Sequence, residues 1–165
     1  MLIREATAAD WPAIWPFFHA IVAAGETYPY PTDLDVAAGR EIWLLRPPGR
    51  TVVAVDEDGT VLGSAKMNPN QTGAGAHIAS ASFMVDPRHG GRGVGRALGE
   101  HVLAWARAEG YRGIQFNSVV ETNTAAVALW KSLGFTVMTT IPGGFRHPTK
   151  GYVGFHIMYQ QLTDG

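Results

Sequence analysis

The stretch "VDPRHGGRGVGRAL", residues 85–98, places glycines at positions 90, 91, 93 and 95 and arginines at positions 88, 92 and 96. It predicts a strand that ends at Val85, a glycine-rich turn, and a helix from Gly93 to Glu109 with apolar residues every four positions. The exposed amides at the start of a helix, together with the helix dipole, attract anions. We therefore predict a phosphate-binding turn; the alternative is that the glycines only form a tight strand-to-helix turn.

Two common phosphate-binding motifs are excluded by the residues present. A P-loop ends in Gly-Lys-Ser or Gly-Lys-Thr, and the chain has no lysine between Lys66 and Lys131. A dinucleotide fingerprint needs a third glycine, and Arg96 or Leu98 stands there, depending on which glycine is taken as the first. The backbone of the turn is the remaining candidate for binding the anion.

Hydrophobic periodicity and turn signals predict alternating strands and helices along the rest of the chain. Pro16 is expected to kink or split the first helix. The predicted strands are Met1–Ala6, Thr51–Val55, Val61–Met67, His77–Val85, Gly113–Ser118, Phe135–Ile141 and Tyr152–Leu162, with a loop "PGGFRHPTKG" before the last strand. The predicted helices are Ala8–Ala24, Leu34–Leu45, Gly93–Glu109 and one that runs from a cap at Thr122 or Asn123 to Leu133.

This order of elements combines hairpins with strand–helix–strand crossovers. It predicts an α/β fold with a mixed, mostly antiparallel sheet of about six or seven strands and about four helices on both faces. A length of 165 residues predicts a single domain.

Composition limits the function classes. The net charge of −1 gives no general attraction for nucleic acid or an anionic membrane, and no apolar run is long enough to span a membrane. The N-terminus "MLIREATAAD" does not resemble a signal peptide, so we expect a cytoplasmic protein. Without cysteine, and without metal-ligand spacing among the six histidines, no metal site is expected.

A second motif, combined with the glycine-rich turn, resembles the pattern of a known protein family. The segment "NTAAVALWKSLGF", residues 123–135, lies one predicted helix and one predicted strand after the glycine-rich turn. Together the two motifs resemble those of the GCN5-related N-acetyltransferase (GNAT) family, and the resemblance extends from about Ala54 to Leu162. The shorter segments "HIASASFMV" and "FNSVVETN" are similar to fungal N-acetyltransferases that detoxify proline analogues such as azetidine-2-carboxylate. The resemblance implies the GNAT fold and acetyl-CoA as cosubstrate.

The resemblance also implies a set of cosubstrate-binding residues. Backbone amides of the turn would hold the pyrophosphate of coenzyme A: Arg92, Gly93, Val94, Gly95 and Arg96. Backbone groups of Phe83, Met84 and Val85 would pair with the pantetheine arm, which requires the strand beyond Val85 to splay from Gly113–Ser118. Asn123 would hydrogen-bond the end of pantetheine near the sulfur.

Two positions depart from the family pattern. Gly90 stands where the family usually has Gln or Arg, so one side chain at the turn is absent. Trp130 stands where many members carry a tyrosine thought to protonate the departing thiolate. An indole does not act as an acid near neutral pH, so Trp130 either donates a hydrogen bond or stacks on the cosubstrate.

Further candidates are polar residues near the predicted slot. Asn117 is expected to anchor the acceptor, or else to satisfy backbone groups at a strand end. Glu121 and His77 are candidates for proton transfer, with a helix-dipole role and an ordinary polar role as the respective alternatives. Loop residues expected over the acceptor site are Glu26, Tyr28, Tyr30 and His147.

These features predict an N-acetyltransferase in which a small primary or secondary amine, such as an amino acid or an analogue, attacks acetyl-CoA directly. A backbone amide of Met84 or Val85 is expected to polarise the thioester carbonyl. Two alternatives remain: acetylation of a protein N-terminus or lysine, and a non-catalytic acyl-CoA sensor. The sequence does not settle the oligomeric state, although exposed apolar residues on the last strand would fit a homodimer.

Overall fold

A seven-stranded sheet forms the centre of the molecule in the computed structural model, which describes residues 1–164. The strands are β1 (Leu2–Glu5), β2 (Arg50–Val55), β3 (Val61–Pro69), β4 (Ile78–Val85), β5 (Gly113–Val120), β6 (Thr136–His147) and β7 (Gly151–Gln161). The α-helices are α1 (Trp11–Ala24), α2 (Val36–Trp43), α3 (Val94–Ala108) and α4 (Thr124–Ser132). This order confirms the predicted fold class.

The strand order across the sheet is β1-β2-β3-β4-β5-β7-β6. Every neighbouring pair is antiparallel except β4 and β5, which are parallel because α3 crosses over between them. Helix α3 buries the predicted stripe against one face of the sheet: Val94, Leu98, Val102 and Ala106. Helices α1 and α2 cover the other face through Phe18 and Trp43, which are fully buried.

The parallel pair separates almost at once. Only Ile78 and Ala79 of β4 pair with β5, whereas β4 pairs with β3 as far as Val85. The predicted splay is therefore present, but it begins after Ala79 and not beyond Val85. As a result, residues 80–85 pair with β3 on one side and face an opening on the side of β5.

Two local features differ from the sequence predictions. Helix α1 runs without a break from Trp11 to Ala24 and is not split at Pro16, because the loss of one amide donor at a proline does not by itself end a helix; the alternative, a kink at Pro16, stays a prediction. The segment Pro142–His147 is not a loop but the second half of β6, which pairs with β7 beyond an irregularity in register. The hairpin of β6 and β7 therefore extends further than the sequence indicated.

Among residues 1–164, no helix is both long and apolar enough to cross a membrane. The same residues contain no group of three His, Asp or Glu side chains placed to hold a metal ion. Ile141 and Tyr152 expose apolar surface on the β6–β7 hairpin, and the homodimer stays a prediction.

Candidate functional site

The opening between β4 and β5 is a cleft of about 550 Å³. Its walls are the splayed parts of these two strands, the first turns of α4, and the loop that joins α1 to α2. Polar side chains from all these segments reach it: Thr27, Tyr28, Tyr30, Ser80, Ser82, Asn117, Ser118 and Asn123. A splayed sheet thus supplies free strand edges and side chains within one cavity.

The glycine-rich turn lies between β4 and α3, where Val85 and Pro87 line one end of this cleft. Gly91 and Gly93 have φ angles of +76° and +77°, a backbone conformation that favours glycine. Asp86 fixes the entry to the turn, since its carboxylate accepts from the Arg88 amide over 3.0 Å and pairs with the Arg88 guanidinium over 2.7 Å. This guanidinium lowers the pKa of buried Asp86 below its ordinary value.

The amides of residues 91–96 have no hydrogen-bond acceptor within the described part of the chain. The first helical bond of α3 runs from the Ala97 amide to the Gly93 carbonyl over 3.0 Å, and the residues before Ala97 have no preceding turn to bond to. Gly91, Arg92, Gly93 and Arg96 are exposed. The turn therefore presents consecutive free donors at the positive end of a helix dipole, as an anion site requires.

Strand β4 directs alternate backbone groups into the cleft. The Asp86 amide donates to the Leu62 carbonyl, so Met84, two residues earlier and paired with Ser64, also directs its amide and carbonyl toward β3. The prediction that backbone groups of Met84 face the pantetheine or the thioester is therefore wrong. Phe83 and Val85 alternate with Met84, so their backbone amides and carbonyls point toward the cleft.

Tyr28 already bonds to one of these positions. Its hydroxyl accepts a hydrogen bond from the Phe83 amide over 3.0 Å and donates one to the Phe83 carbonyl. Burial raises the pKa of this hydroxyl above its ordinary value. The Tyr30 ring stacks on Tyr28 at 5.4 Å between centroids, so the two tyrosines form one aromatic wall of the cleft.

Asn117 projects from β5 on the same side of the sheet as this wall. Its Nδ2 donates to Oδ1 of Asn70 over 2.6 Å, and its own Oδ1 accepts from Gln115 over 3.0 Å. Sequence reasoning missed Asn70, which lies in the connection between the predicted strands Val61–Met67 and His77–Val85. A signal was available, because the loop "NPNQTGAGA" leads directly into β4 and so returns to the cleft.

Trp130 also lines the cleft, mainly as part of its aromatic floor. It is buried, with ring centroids 4.5 Å from Phe83 and 5.1 Å from Phe116. Its indole N–H has no hydrogen-bond partner among residues 1–164. Asn123 lines the cleft beside it and caps α4, where its Oδ1 accepts from the Ala126 amide over 3.4 Å.

Four sequence candidates do not line the cleft. The Glu121 carboxylate accepts a hydrogen bond from the Gly154 amide of β7 over 2.6 Å. His77 is exposed and precedes β4, at the end where β4 and β5 are still paired. His147 is buried at the β6–β7 turn, where its Nδ1 accepts from the amides of Thr149 and Lys150 over 3.2 Å each. Glu26 is exposed and only precedes the loop residues of the wall. Tertiary structure thus separates these side chains from Asn117.

As a consequence, the cleft lining among the described residues contains no carboxylate and no imidazole. Its titratable side chains are Tyr28 and Tyr30. The Lys66 ammonium lies behind Tyr30, 5.4 Å from its ring centroid, and donates to the Ile42 carbonyl over 3.2 Å. The arrangement can hold and polarise a substrate, but it offers no strong base of its own.

Comparison with known proteins shows that the chain is similar to acetyltransferases. The family model described as "Acetyltransferase (GNAT) family" matches residues 11–135. The N-acetyltransferase aca1 of Schizosaccharomyces pombe is 32% identical over 108 residues, which are 66% of this chain and 51% of aca1, so the chain spans about half of that relative's length. The L-methionine sulfoximine/L-methionine sulfone acetyltransferase of Salmonella typhimurium is 31% identical over 147 residues, 86% of this chain and 84% of that protein.

Two solved structures share the fold along nearly the whole chain. A GCN5-related N-acetyltransferase from Kribbella flavida is 59% identical, with a TM-score of 0.95 and coverage of 98% of this chain and 97% of that one. The yncA acetyltransferase of Salmonella typhimurium, solved with its cofactor acetyl-CoA, is 25% identical, with a TM-score of 0.83 and coverage of 100% and 95%. The predicted likeness to GNAT enzymes, including a fungal one, is confirmed.

Proposed function

Because the chain belongs to the GNAT acetyltransferase family, we propose that it transfers the acetyl group of acetyl-CoA to a small amine of the amino-acid type. The family establishes an acyltransferase, while the donor and the acceptor class are inferred from the site. The observation that carries the proposal is the row of free amides at residues 91–96, which lies at one end of a cleft bounded by a splayed strand.

The residues present fit acetyl-CoA in two respects. Free amides at a helix N-terminus bind the pyrophosphate without any lysine, and exposed Arg92 adds positive charge beside them. The cleft-facing backbone groups of Phe83 and Val85 have no strand partner on the β5 side. Those of Val85 are available to pair with the amide-containing pantetheine arm, and those of Phe83 bond only to the Tyr28 hydroxyl, which a ligand can replace. When bound, acetyl-CoA supplies an activated acyl group. The relative solved with acetyl-CoA supports the same donor.

The acceptor side is the part of the cleft that is lined by Tyr28 and Tyr30 of the α1–α2 loop and by Asn117 of β5. Asn117 offers an amide donor and an amide acceptor, which suit the amine and carboxylate of an amino acid. The aromatic wall and Pro29 limit the space beside it. A relative named for L-methionine sulfoximine and L-methionine sulfone supports an amino-acid-like acceptor.

In the proposed reaction, the main task of the enzyme is to position the amine against the thioester. The amine nitrogen attacks the acyl carbon, a C–N bond forms, the C–S bond breaks, and the electron pair leaves with sulfur. Water accepts the proton that the amine loses, and water returns one to the thiolate, because the described cleft lining holds no carboxylate or imidazole. Asn117 orients the amine, and backbone donors of β4 stabilise the charge that develops on the carbonyl oxygen.

The experiment is a screen of thiol release from acetyl-CoA with amino acids, their cyclic and sulfoximine analogues, and short peptides. We expect turnover with at least one small amino-acid-like amine and none above background with peptides. Turnover only with peptides would favour a protein acetyltransferase. Tight coenzyme A binding without turnover of any amine would favour an acyl-CoA sensor.

A further inference from the structure

The contact between Tyr28 and Phe83 is unusual because one hydroxyl serves both backbone groups of a residue 55 positions away. In a continuous sheet, the cleft-facing amide and carbonyl of Phe83 would pair with β5. The splay after Ala79 removes that partner. The Tyr28 hydroxyl therefore fills a place on β4 that belongs to a ligand with a carbonyl oxygen or an amide.

The packing of its ring keeps the Tyr28 hydroxyl beside β4. Tyr28 stacks on Tyr30 and meets Trp43 edge-on, with centroids 5.4 and 6.5 Å apart. Trp43 is in turn fixed by a hydrogen bond from its indole to Ser64 over 2.8 Å. Because burial raises the pKa of Tyr28, the hydroxyl keeps its proton at neutral pH and stays a hydrogen-bond donor.

We propose that the Tyr28 hydroxyl and the Phe83 amide together bind the carbonyl oxygen of the acetyl thioester, as a two-donor site for the charge that develops there. This inference rests on the proposed function. The Tyr28 oxygen now lies where the Phe83 amide directs an acceptor, 3.0 Å from its nitrogen. A carbonyl oxygen that takes this place moves the hydroxyl aside by roughly 2.7 Å, the length of an O–H···O hydrogen bond, so Tyr28 can donate to the oxygen that displaced it.

The exchange leaves no polar group unpaired. When Tyr28 turns its proton from the Phe83 carbonyl to the incoming oxygen, that carbonyl becomes free to accept from an amide of the pantetheine arm. Strand β4 thus binds the donor, while the loop between α1 and α2 contributes one side chain to the reacting atoms. Tyr28 is accordingly a catalytic residue and not only part of the acceptor wall.

The decisive readout is the carbonyl stretching frequency of bound acetyl-CoA labelled with ¹³C at the acetyl carbonyl, measured by isotope-edited infrared spectroscopy without an acceptor. Hydrogen-bond donors weaken the C=O bond and lower this frequency. We expect a lower frequency on the wild-type protein than in solution, and a clearly smaller shift on Tyr28→Phe. Tyr30→Phe is the matched control, because it removes a neighbouring cleft hydroxyl that makes no hydrogen bond in the described chain.

Turnover gives the second readout. We expect Tyr28→Phe to lower kcat by at least about a hundredfold, the lower end of what removal of one oxyanion donor costs, while the Kd for coenzyme A changes less than about threefold. If Tyr28→Phe does not fold, 3-fluorotyrosine at position 28 serves instead. Its more acidic hydroxyl is a stronger donor and should lower the carbonyl frequency further.

An equal frequency shift in wild type and Tyr28→Phe, or no response to fluorination, would overturn this inference and leave the proposed function intact. A polarised carbonyl that depends on Tyr28, without turnover of any amine, would support the inference and count against the proposed acetyl transfer. Failure of the wild-type protein to bind acetyl-CoA would overturn both.

Discussion

The side-chain amide of Asn117 donates to Oδ1 of Asn70 over 2.6 Å and thereby links β5 to the loop that follows β3. This bond fixes the orientation of the Asn117 amide at the edge of the cleft. Since Gln115 donates to the oxygen of the same amide, both ends of Asn117 have a partner, and a substrate that binds Asn117 joins an ordered network.

We expect Asn117→Ala to lower kcat/KM for the amine by at least about tenfold, or 1.4 kcal/mol, because it removes the acceptor's polar contact. The Kd for coenzyme A, measured by calorimetry, should stay within about threefold. Asn70→Ala should act in the same direction, and the double variant should lose less than the sum, because the two residues act as a pair. Gln71→Ala, at an exposed residue outside both this network and the cleft lining, is the control, and a larger loss in coenzyme A affinity than in turnover would remove Asn117 from the acceptor side.

Gly93→Asp tests the anion site. It adds a negative charge beside the free amides, so we expect the Kd for coenzyme A to rise at least about tenfold, or 1.4 kcal/mol. Gly110→Asp is a matched control: both glycines have positive φ angles of +77° and +81° and open space around them, and Gly110 follows the C-terminal end of α3. Equal affinities for the two variants would discard the placement of the pyrophosphate.

Trp130 should contribute more to stability than to chemistry. Its ring packs on Phe83 and Phe116, so we expect Trp130→Ala to lower the free energy of unfolding by about 3–5 kcal/mol in urea denaturation. Trp130→Phe keeps an aromatic ring and should retain kcat within about threefold. A folded Trp130→Phe variant with a hundredfold lower kcat would instead show that the indole N–H takes part in the reaction.

We expect low pH to destabilise the folded protein by protonating the Asp86 carboxylate at the entry to the glycine-rich turn. The Arg88 guanidinium lowers the pKa of Asp86 in the folded protein, so the ionised carboxylate stabilises the fold above its unfolded pKa, near 4. That stability is lost as the pH falls through the lower folded pKa. We expect Asp86→Asn to unfold with a flatter dependence on pH between about 5 and 2 than wild type.

The pH dependence of the reaction should follow the acceptor and not the enzyme. Because the described cleft lining has no carboxylate or imidazole, kcat/KM should rise about tenfold per pH unit up to the pKa of the free amine. Two acceptors of different basicity should therefore reach their plateaus at different pH values. A common plateau near pH 6–7 for both amines would indicate a base on the enzyme.

Much of the fold could be predicted because its signals are local. The order of strands and helices follows from periodicity and from turn residues, and the stripe of α3 is buried as its spacing indicated. The anion turn is local as well. The first amides of any helix lack acceptors, so glycines directly before α3 were enough to predict free donors there.

The catalytic side chains could not be assigned in the same way. Glu121 and His147 looked available in the sequence, yet tertiary contacts bind the first to Gly154 and bury the second in a turn. The residues around Glu121 do not indicate its partner, because Gly154 lies 33 residues further along the chain. Asn70 was overlooked for the corresponding reason, since its partner Asn117 lies 47 residues away.

The sequence by itself determined the elements, their order and the free amides of the glycine-rich turn, because each depends on residues within one or two turns of chain. Only the tertiary structure decided where β4 leaves β5, which backbone groups of β4 face the cleft, and that Tyr28 reaches Phe83. These relationships depend on strand register and on packing between segments far apart in the chain. A shift of one residue in that register would exchange Phe83 for Met84 at the cleft, and local patterns do not fix that choice.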